Sequence, residues 1–312
     1  MSAASPRPVA TKKSTNVRSR QIALAGSAVR AVQTVAPTTA ARLVAHLFRR
    51  PQRHRRPTRE YAWMLDATPL TLRVGGREVR AWARGEGPVV VLVHGWSGRG
   101  SQMGAFIEPL VRQGHRVITF DGPAHGASSG TLATPPDFAE TLQTLQKVVG
   151  PFHGVIAHSF GTLATQLALA DGLSATRVAY VAPSHSPRDA VRTVAGMLGL
   201  ENRLLPLMEQ MVSTASGRPI DDVQRAMSFD ARVPALVVHD VDDDVIAPAV
   251  GQQLAEGIQR GMYLQTEGLG HYRVLRDREV VRQVVAFMAD VDVDEVSWLT
   301  PLEAELELMG VI

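Results

Sequence analysis

A serine flanked by small residues, in the run Ala157-His158-Ser159-Phe160-Gly161, follows the apolar stretch GVIAH (154–158) and precedes FGTLATQLALA, which has the composition of a buried helix. A serine on a sharp strand-to-helix turn needs small neighbours, because the backbone is strained there and the helix passes close to the strand. Its hydroxyl is a weak nucleophile until a base removes the proton, and the base must itself be oriented by a third group. Downstream of Ser159 the histidines are His185, His239 and His271. His239 ends an apolar strand, where a structural hydrogen bond is the ordinary use, and His185 opens a stretch without strands. His271 follows Gly268-Leu269-Gly270, where glycines let a side chain turn back over a sheet edge, so it is the expected base. The orienting acid is expected among Asp240, Asp242, Asp243 and Asp244, because Ala182-Pro183-Ser184 after the preceding strand offers no carboxylate. Four clustered acids could also hold a hard cation, but the spaced oxygen ligands and the glycine of a calcium loop are missing.

Ligands of an open parallel sheet bind outside the carboxyl ends of its strands, so these residues need strands that end beside one another. Runs at 69–74 and 77–84, split by Gly75-Gly76, read as a β-hairpin. VVVLVH (89–94), RVITF (116–120), GVIAH, RVAYVA (177–182) and ALVVH (235–239) are continuous apolar runs, the pattern of strands buried on both faces. MYLQTE (262–267) is a weaker eighth. Helices expected at 101–113, 136–149, 161–171, 249–259 and 277–289 supply the crossovers. The fold class is therefore α/β, doubly wound, with a mostly parallel sheet. Residues 184–231 lack a strand but carry Leu, Met and Arg at helical spacing, and read as a helical cap inserted into a domain at 61–290. At 291–312 an acidic tail is expected to be helical, with a capping box from Thr300 to Glu303.

Composition removes several chemistries. Without cysteine there is no thiolate metal site, disulfide or cysteine nucleophile. With 5% aromatics, a row of stacking platforms for single-stranded nucleic acid is not expected. Arg30, Arg42 and Arg49 interrupt the N-terminal apolar stretch, so no run is long enough to span a membrane. The net charge of +3 conceals an asymmetry: residues 1–60 carry 13 Lys and Arg against one acid, Glu60, and the remainder is acidic on balance. Residues 1–20 read as disordered, 21–36 and 39–50 as helices, and 51–60 as an exposed connector. The second helix is basic and amphipathic, with Leu43, Val44, Leu47 and Phe48 on one face. Docking on the protein's own core is the ordinary fate of such a face; an anionic membrane surface is the alternative partner. An acid-poor arm of this kind also resembles a transit peptide, but a solvated basic arm is the commoner case, and the expected location is cytoplasmic or membrane-peripheral.

As a set, these motifs resemble the α/β-hydrolase superfamily over roughly residues 66–290, specifically its bacterial serine hydrolases of esterase and lipase type. The order Ser, Asp, His is that of the superfamily. His94-Gly95-Trp96 corresponds to its H-G-x stretch, Asp121 to Ser128 to an altered D-x-P-G-H-G-x-S, Ala157 to Gly161 to the nucleophile elbow G-x-S-x-G, His239 to Asp243 to H-G-x-x-D, and Gly270-His271 to the closing G-H. Ala157 replaces the first elbow glycine and Asp240 replaces the glycine of the acid motif. The resemblance implies Ser159 as nucleophile, His271 as proton relay and Asp243 as the acid. It implies an oxyanion hole from the backbone N–H groups of Trp96 and Phe160, with His94, Gly95, His158 and Gly161 in support. Epoxide hydrolases and haloalkane dehalogenases of this fold generally use an aspartate nucleophile, and Ser159 argues against both.

The expected activity is hydrolysis of small-molecule carboxylic esters or related acyl compounds through an acyl-enzyme, with no cofactor and no metal. The alternative is a non-catalytic hydrolase-like protein that binds a membrane or protein partner through its arm. Nucleic acid is not an expected partner, because the positive charge is confined to the arm.

Overall fold

The computed structural model describes residues 13–228 and 232–291. The capping box expected at Thr300–Glu303 lies outside the described residues. Helices α1 (Lys13–Val35), α2 (Pro37–Phe48) and α3 (Thr58–Ala62) precede the sheet. The expected disorder thus gives way to helix at Lys13, and the expected connector already turns helical at Thr58.

Strands β1 (Thr68–Val74) and β2 (Arg77–Arg84) form the expected hairpin, turned by Gly75 and Gly76 at φ of 51° and 76°. Positive φ at both positions is what a two-residue turn of this hand requires. β3 (Val89–Val93), β4 (Arg116–Phe120), β5 (Phe152–His158), β6 (Ala175–Val181), β7 (Ala235–Asp240) and β8 (Gly261–Thr266) complete one eight-stranded sheet in the order β1-β2-β4-β3-β5-β6-β7-β8. From β4 to β8 every pairing is parallel; β1 and β2 are antiparallel additions at one edge. Every residue of β3 and of β7 is buried, as expected for strands covered on both faces.

The crossovers include α4 (Ile107–Arg112), α5 (Pro135–Val149), α6 (Phe160–Ala170) and α10 (Ala249–Gly257), whereas α12 (Arg278–Ala289), expected as a further crossover, follows β8, the last strand among the described residues, and packs on the sheet without joining two strands. Between β6 and β7 lie α7 (Pro187–Met197), α8 (Leu205–Ser216) and α9 (Ile220–Ala226), and α11 (Gly270–Arg273) is a single turn after β8. One expected helix, 101–113, is divided: Gly100–Phe106 is wound as a 3₁₀ turn before α4. The buried Asp121 carboxylate accepts the Gly100 N–H at 2.7 Å, which holds the start of that turn against the end of β4.

Two cores flank the sheet. Leu142, Leu145, Leu163 and Leu167 of α5 and α6 fill one face, and Leu110 with Val281, Val284 and Val285 of α4 and α12 fill the other. The α12 valines recur at the spacing of one helical face, and each buried side chain contributes about 1.5–3 kcal/mol. A third core lies away from the sheet, where Val29, Ala40, Val44 and Ala45 of α1 and α2 pack against Val191, Ala195, Met208 and Val212 of α7 and α8. The face of α2 buried on the β6–β7 insertion is thus Ala40, Val44 and Ala45, with Leu47 and Phe48 half-buried beside it; Leu43, expected on the apolar face, is exposed instead. Among the described residues no helix is long and apolar enough to cross a membrane.

Candidate active site

β5 ends at His158 and α6 begins at Phe160, which leaves Ser159 alone to turn the chain. Its backbone sits at φ 51° and ψ −124°, a conformation that L-residues rarely adopt and that stores local strain. The turn is this tight because its neighbours are small. A Cβ on Gly161 would lie 2.7 Å from the His94 carbonyl oxygen and 2.8 Å from that of Val93; one on Gly95 would lie 3.0 Å from Ser159 Cβ. Gly161→Ala is therefore expected to destabilise the fold by about 1–3 kcal/mol, since a methyl group has to displace backbone rather than a flexible side chain. Urea denaturation checks this; an unchanged midpoint would contradict the packing account.

His271, in α11, presents Nε2 3.0 Å from Ser159 Oγ and Nδ1 2.7 Å from Asp243 Oδ2. The geometry has the serine hydroxyl donating to Nε2 and Nδ1–H donating to the carboxylate, which fixes the imidazole tautomer. Asp243 Oδ1 accepts the N–H groups of Val245 and Ile246 at 2.8 and 2.9 Å. Burial alone would push the Asp243 carboxyl up, but hydrogen bonds from His239, His271 and the Ile246 N–H outweigh it and hold the group far below the carboxylate range. These contacts favour the charged form of Asp243.

Of the four aspartates, Asp243 alone touches His271. Asp240 instead accepts the N–H groups of Leu269 and Gly270 at 3.1 and 2.8 Å, the Asp242 N–H at 3.0 Å and the Thr266 hydroxyl at 2.7 Å. It ties down the loop that carries His271. Burial acts to raise the Asp240 carboxyl, and these donors more than reverse it. Asp242 accepts the Gly268 N–H at 2.9 Å on the same loop. Among the described residues no group of three or more His, Asp or Glu is arranged to hold a metal ion.

The other candidate histidines are placed elsewhere. His239 Nε2 lies 3.2 Å from both Asp243 Oδ2 and the Ile246 carbonyl, where its N–H serves the acid rather than the serine. His185 lines the cavity above Ser159. His158 donates Nε2–H to the His271 carbonyl at 2.9 Å and so holds the backbone of α11. His94 donates Nδ1–H to the Gly95 carbonyl at 2.7 Å and accepts the Gly122 N–H at Nε2, 2.9 Å, which pins the loop after β3. Burial lowers His94 to about 4 and His158 to about 3, so both rings stay neutral.

The Phe160 N–H is the first of α6 and has no acceptor within that helix. Trp96 makes no main-chain hydrogen bond among the described residues, and its ring packs on that of Phe160 with centroids 5.0 Å apart. Ser159, Trp96 and Phe160 all border a cavity of about 280 Å³ walled by Leu163, Val191, Val194, Met197 and Val212. Sequence reasoning missed two participants. Phe48 of α2 borders the same cavity, and Glu60, the one acid of the first sixty residues, is buried with Arg99 Nε 2.6 Å and Ser101 Oγ 2.7 Å away. Neither carries a local signal, because their partners are distant in the chain.

Solved structures with the same fold include an esterase from Thermogutta terrifontis (18% identity, 72% of this chain and 99% of that one, TM-score 0.53). An esterase from Exiguobacterium antarcticum is similar (15%, 71% and 99%, TM-score 0.54), as is an epoxide hydrolase from Vigna radiata (12%, 72% and 99%, TM-score 0.55). At these identities the likeness is one of fold. No curated protein sequence matches the chain. The sequence model of the alpha/beta hydrolase family matches residues 90–284, more than half of the chain and, but for Val89, all of β3 to β8, and with the sheet order and the strand-end loops described above this makes the chain a member of the alpha/beta hydrolase family.

Proposed function

We propose that the protein is a serine hydrolase that cleaves carboxylic esters of small apolar substrates through an acyl-enzyme. One observation carries the reading: the hydrogen-bonded chain from Asp243 through His271 to Ser159 ends on the floor of an apolar cavity. Ser159 Oγ attacks the ester carbonyl while His271 Nε2 takes its proton. The imidazolium that forms is stabilised by the buried Asp243 carboxylate. The negative charge on the carbonyl oxygen falls between the N–H groups of Trp96 and Phe160, and each such donor is worth about 3–4 kcal/mol when preorganised. His271 returns the proton to the departing alcohol, leaving Ser159 acylated. Water then attacks with His271 again as base, which releases the acid and restores the serine hydroxyl. Thioesters run through the same intermediate.

The polar contents of the cavity fit this use. Its wall is mainly aliphatic and aromatic, with Ser159, Ser184, His185, Thr193, Ser213, Ser216 and Arg218 as its polar members, which suits a substrate with a polar reacting carbonyl and a largely apolar remainder. The test is covalent labelling with a fluorophosphonate, followed by peptide mass spectrometry. An adduct on Ser159 is expected; a folded protein without adduct, or with the adduct on another serine, would overturn the reading.

A further inference from the structure

The wall of the cavity is completed from outside the part of the chain that matches the family. Phe48, the last residue of α2, borders the cavity together with Ser159 and Trp96, although it lies more than forty residues before that match begins. Its position is fixed from both sides. Upstream, α1 and α2 share a core with α7 and α8, and Gln33 clasps the insertion by donating to the Gly199 carbonyl at 3.1 Å and accepting the Glu201 N–H at 3.0 Å. Gln33 is buried, so this clasp is not a surface accident.

Downstream, the chain is stitched to the loops beside the elbow. The Ala133 N–H donates to the Arg49 carbonyl at 2.8 Å, and the Gln52 N–H donates to Ser97 Oγ at 2.9 Å, one residue beyond Trp96. Arg53 donates to the carbonyls of Ala124, Ser128 and Gly130. Arg99 joins the Glu60 carboxylate to the His54 carbonyl. The segment is thus tied both to the Trp96 loop and to the insertion, with Phe48 between the two sets of contacts.

We infer that Phe48, held in place by the packing of α1 and α2 on the insertion, forms part of the wall of the substrate cavity and is a specificity-determining residue, limiting the length of an aliphatic chain on the substrate. The inference rests on the ester-hydrolase reading and extends it to the N-terminal segment. A phenyl ring is a large share of a cavity of about 280 Å³, so shortening it lengthens the space and enlarging it shortens the space. The chain concerned belongs either to the acyl group or to the alcohol, and two substrate series separate these.

The experiment measures kcat/KM of the full chain for 4-nitrophenyl esters of increasing acyl length and for acetate esters of increasing alcohol length. Phe48→Ala is expected to raise the ratio of long to short substrate by about tenfold or more in one series, and Phe48→Trp to lower it, because each methylene in an apolar pocket discriminates by at least about that factor. Phe48→Leu shifts the ratio in the direction of alanine with smaller amplitude and covers the case in which alanine fails to fold. Ratios unmoved in both series, in variants whose Ser159 still takes the fluorophosphonate, would overturn the role of Phe48 and leave the hydrolase reading standing. A wild type that does not label at Ser159 would overturn the hydrolase reading itself and this inference with it.

Discussion

Ser159→Ala and His271→Ala are each expected to lower kcat for ester hydrolysis by about 10⁴- to 10⁶-fold, and the double variant to fall no further than the lower single. In the proposed mechanism the two groups act on one proton. Without the serine there is no atom for His271 to activate, and without His271 the Ser159 hydroxyl, 3.0 Å away, keeps its proton. Asp243→Asn should cost about 10⁴-fold, since an amide 2.7 Å from Nδ1 can donate to the ring and favour the wrong tautomer. All variants should keep a small rate above that in water, supplied by the Trp96 and Phe160 N–H groups, which no side-chain change removes. Single-turnover kinetics with a nitrophenyl ester measures all four. Losses that add in the double variant would mean that Ser159 and His271 act independently, and the proton-relay account would fall.

Two kinds of information separate what the sequence reveals here from what it conceals. β3, β5 and β7 are readable because a strand buried on both faces is apolar throughout, and the helices between them because their apolar positions repeat at helical spacing. Those signals are local. The elbow is readable for the same reason, since the strain at Ser159 demands small residues at fixed offsets. The four aspartates after β7 look alike in sequence, because what separates Asp240 from Asp243 is the loop each one faces. β7 continues through Asp240, whose side chain meets the N–H groups of Leu269 and Gly270, and only the following turn aims Asp243 at His271. Phe48 and Glu60 are concealed more deeply. A helix with an apolar face announces that it will pack but not against what, and a lone acid in a basic segment does not announce that Arg99 will bury it. The connector expected at 51–60 is exposed along most of its length, but its sequence does not reveal that Pro51 and Glu60 are buried or that Gln52, Arg53 and Glu60 tie it to loops 39 to 77 residues away.

Acidification from pH 8 to pH 5 is expected to remove about 6 kcal/mol of folding stability, through three histidines that the fold keeps neutral. His94, His125 and His158 are fully buried, and desolvation lowers them to about 4, about 3 and about 3 from the ordinary 6.5. In the unfolded chain each takes a proton as the pH falls through 6.5, while in the folded protein each stays neutral to well below pH 5. Below about pH 6.5 the unfolded state therefore binds more protons, so stability falls as pH falls, approaching about 1.4 kcal/mol per pH unit for each ring. At pH 5 this amounts to about 2 kcal/mol per histidine. His115, also lowered by burial, adds in the same direction; Asp121, which burial pushes up, offsets part of it. Against a total of about 5–15 kcal/mol for a typical domain, the loss should be visible as a large drop in the urea midpoint. His125 offers the cleanest control, because its Nδ1–H donates only to the Pro123 carbonyl and its Nε2 has no partner among the described residues. His125→Asn should reduce the pH slope by roughly a third whatever it does to stability at pH 8. A urea midpoint that stays flat from pH 8 to pH 5 would mean that these rings already carry a proton in the folded state, which would also undo the tautomers assigned to His94 under the Trp96 loop and to His158 behind His271.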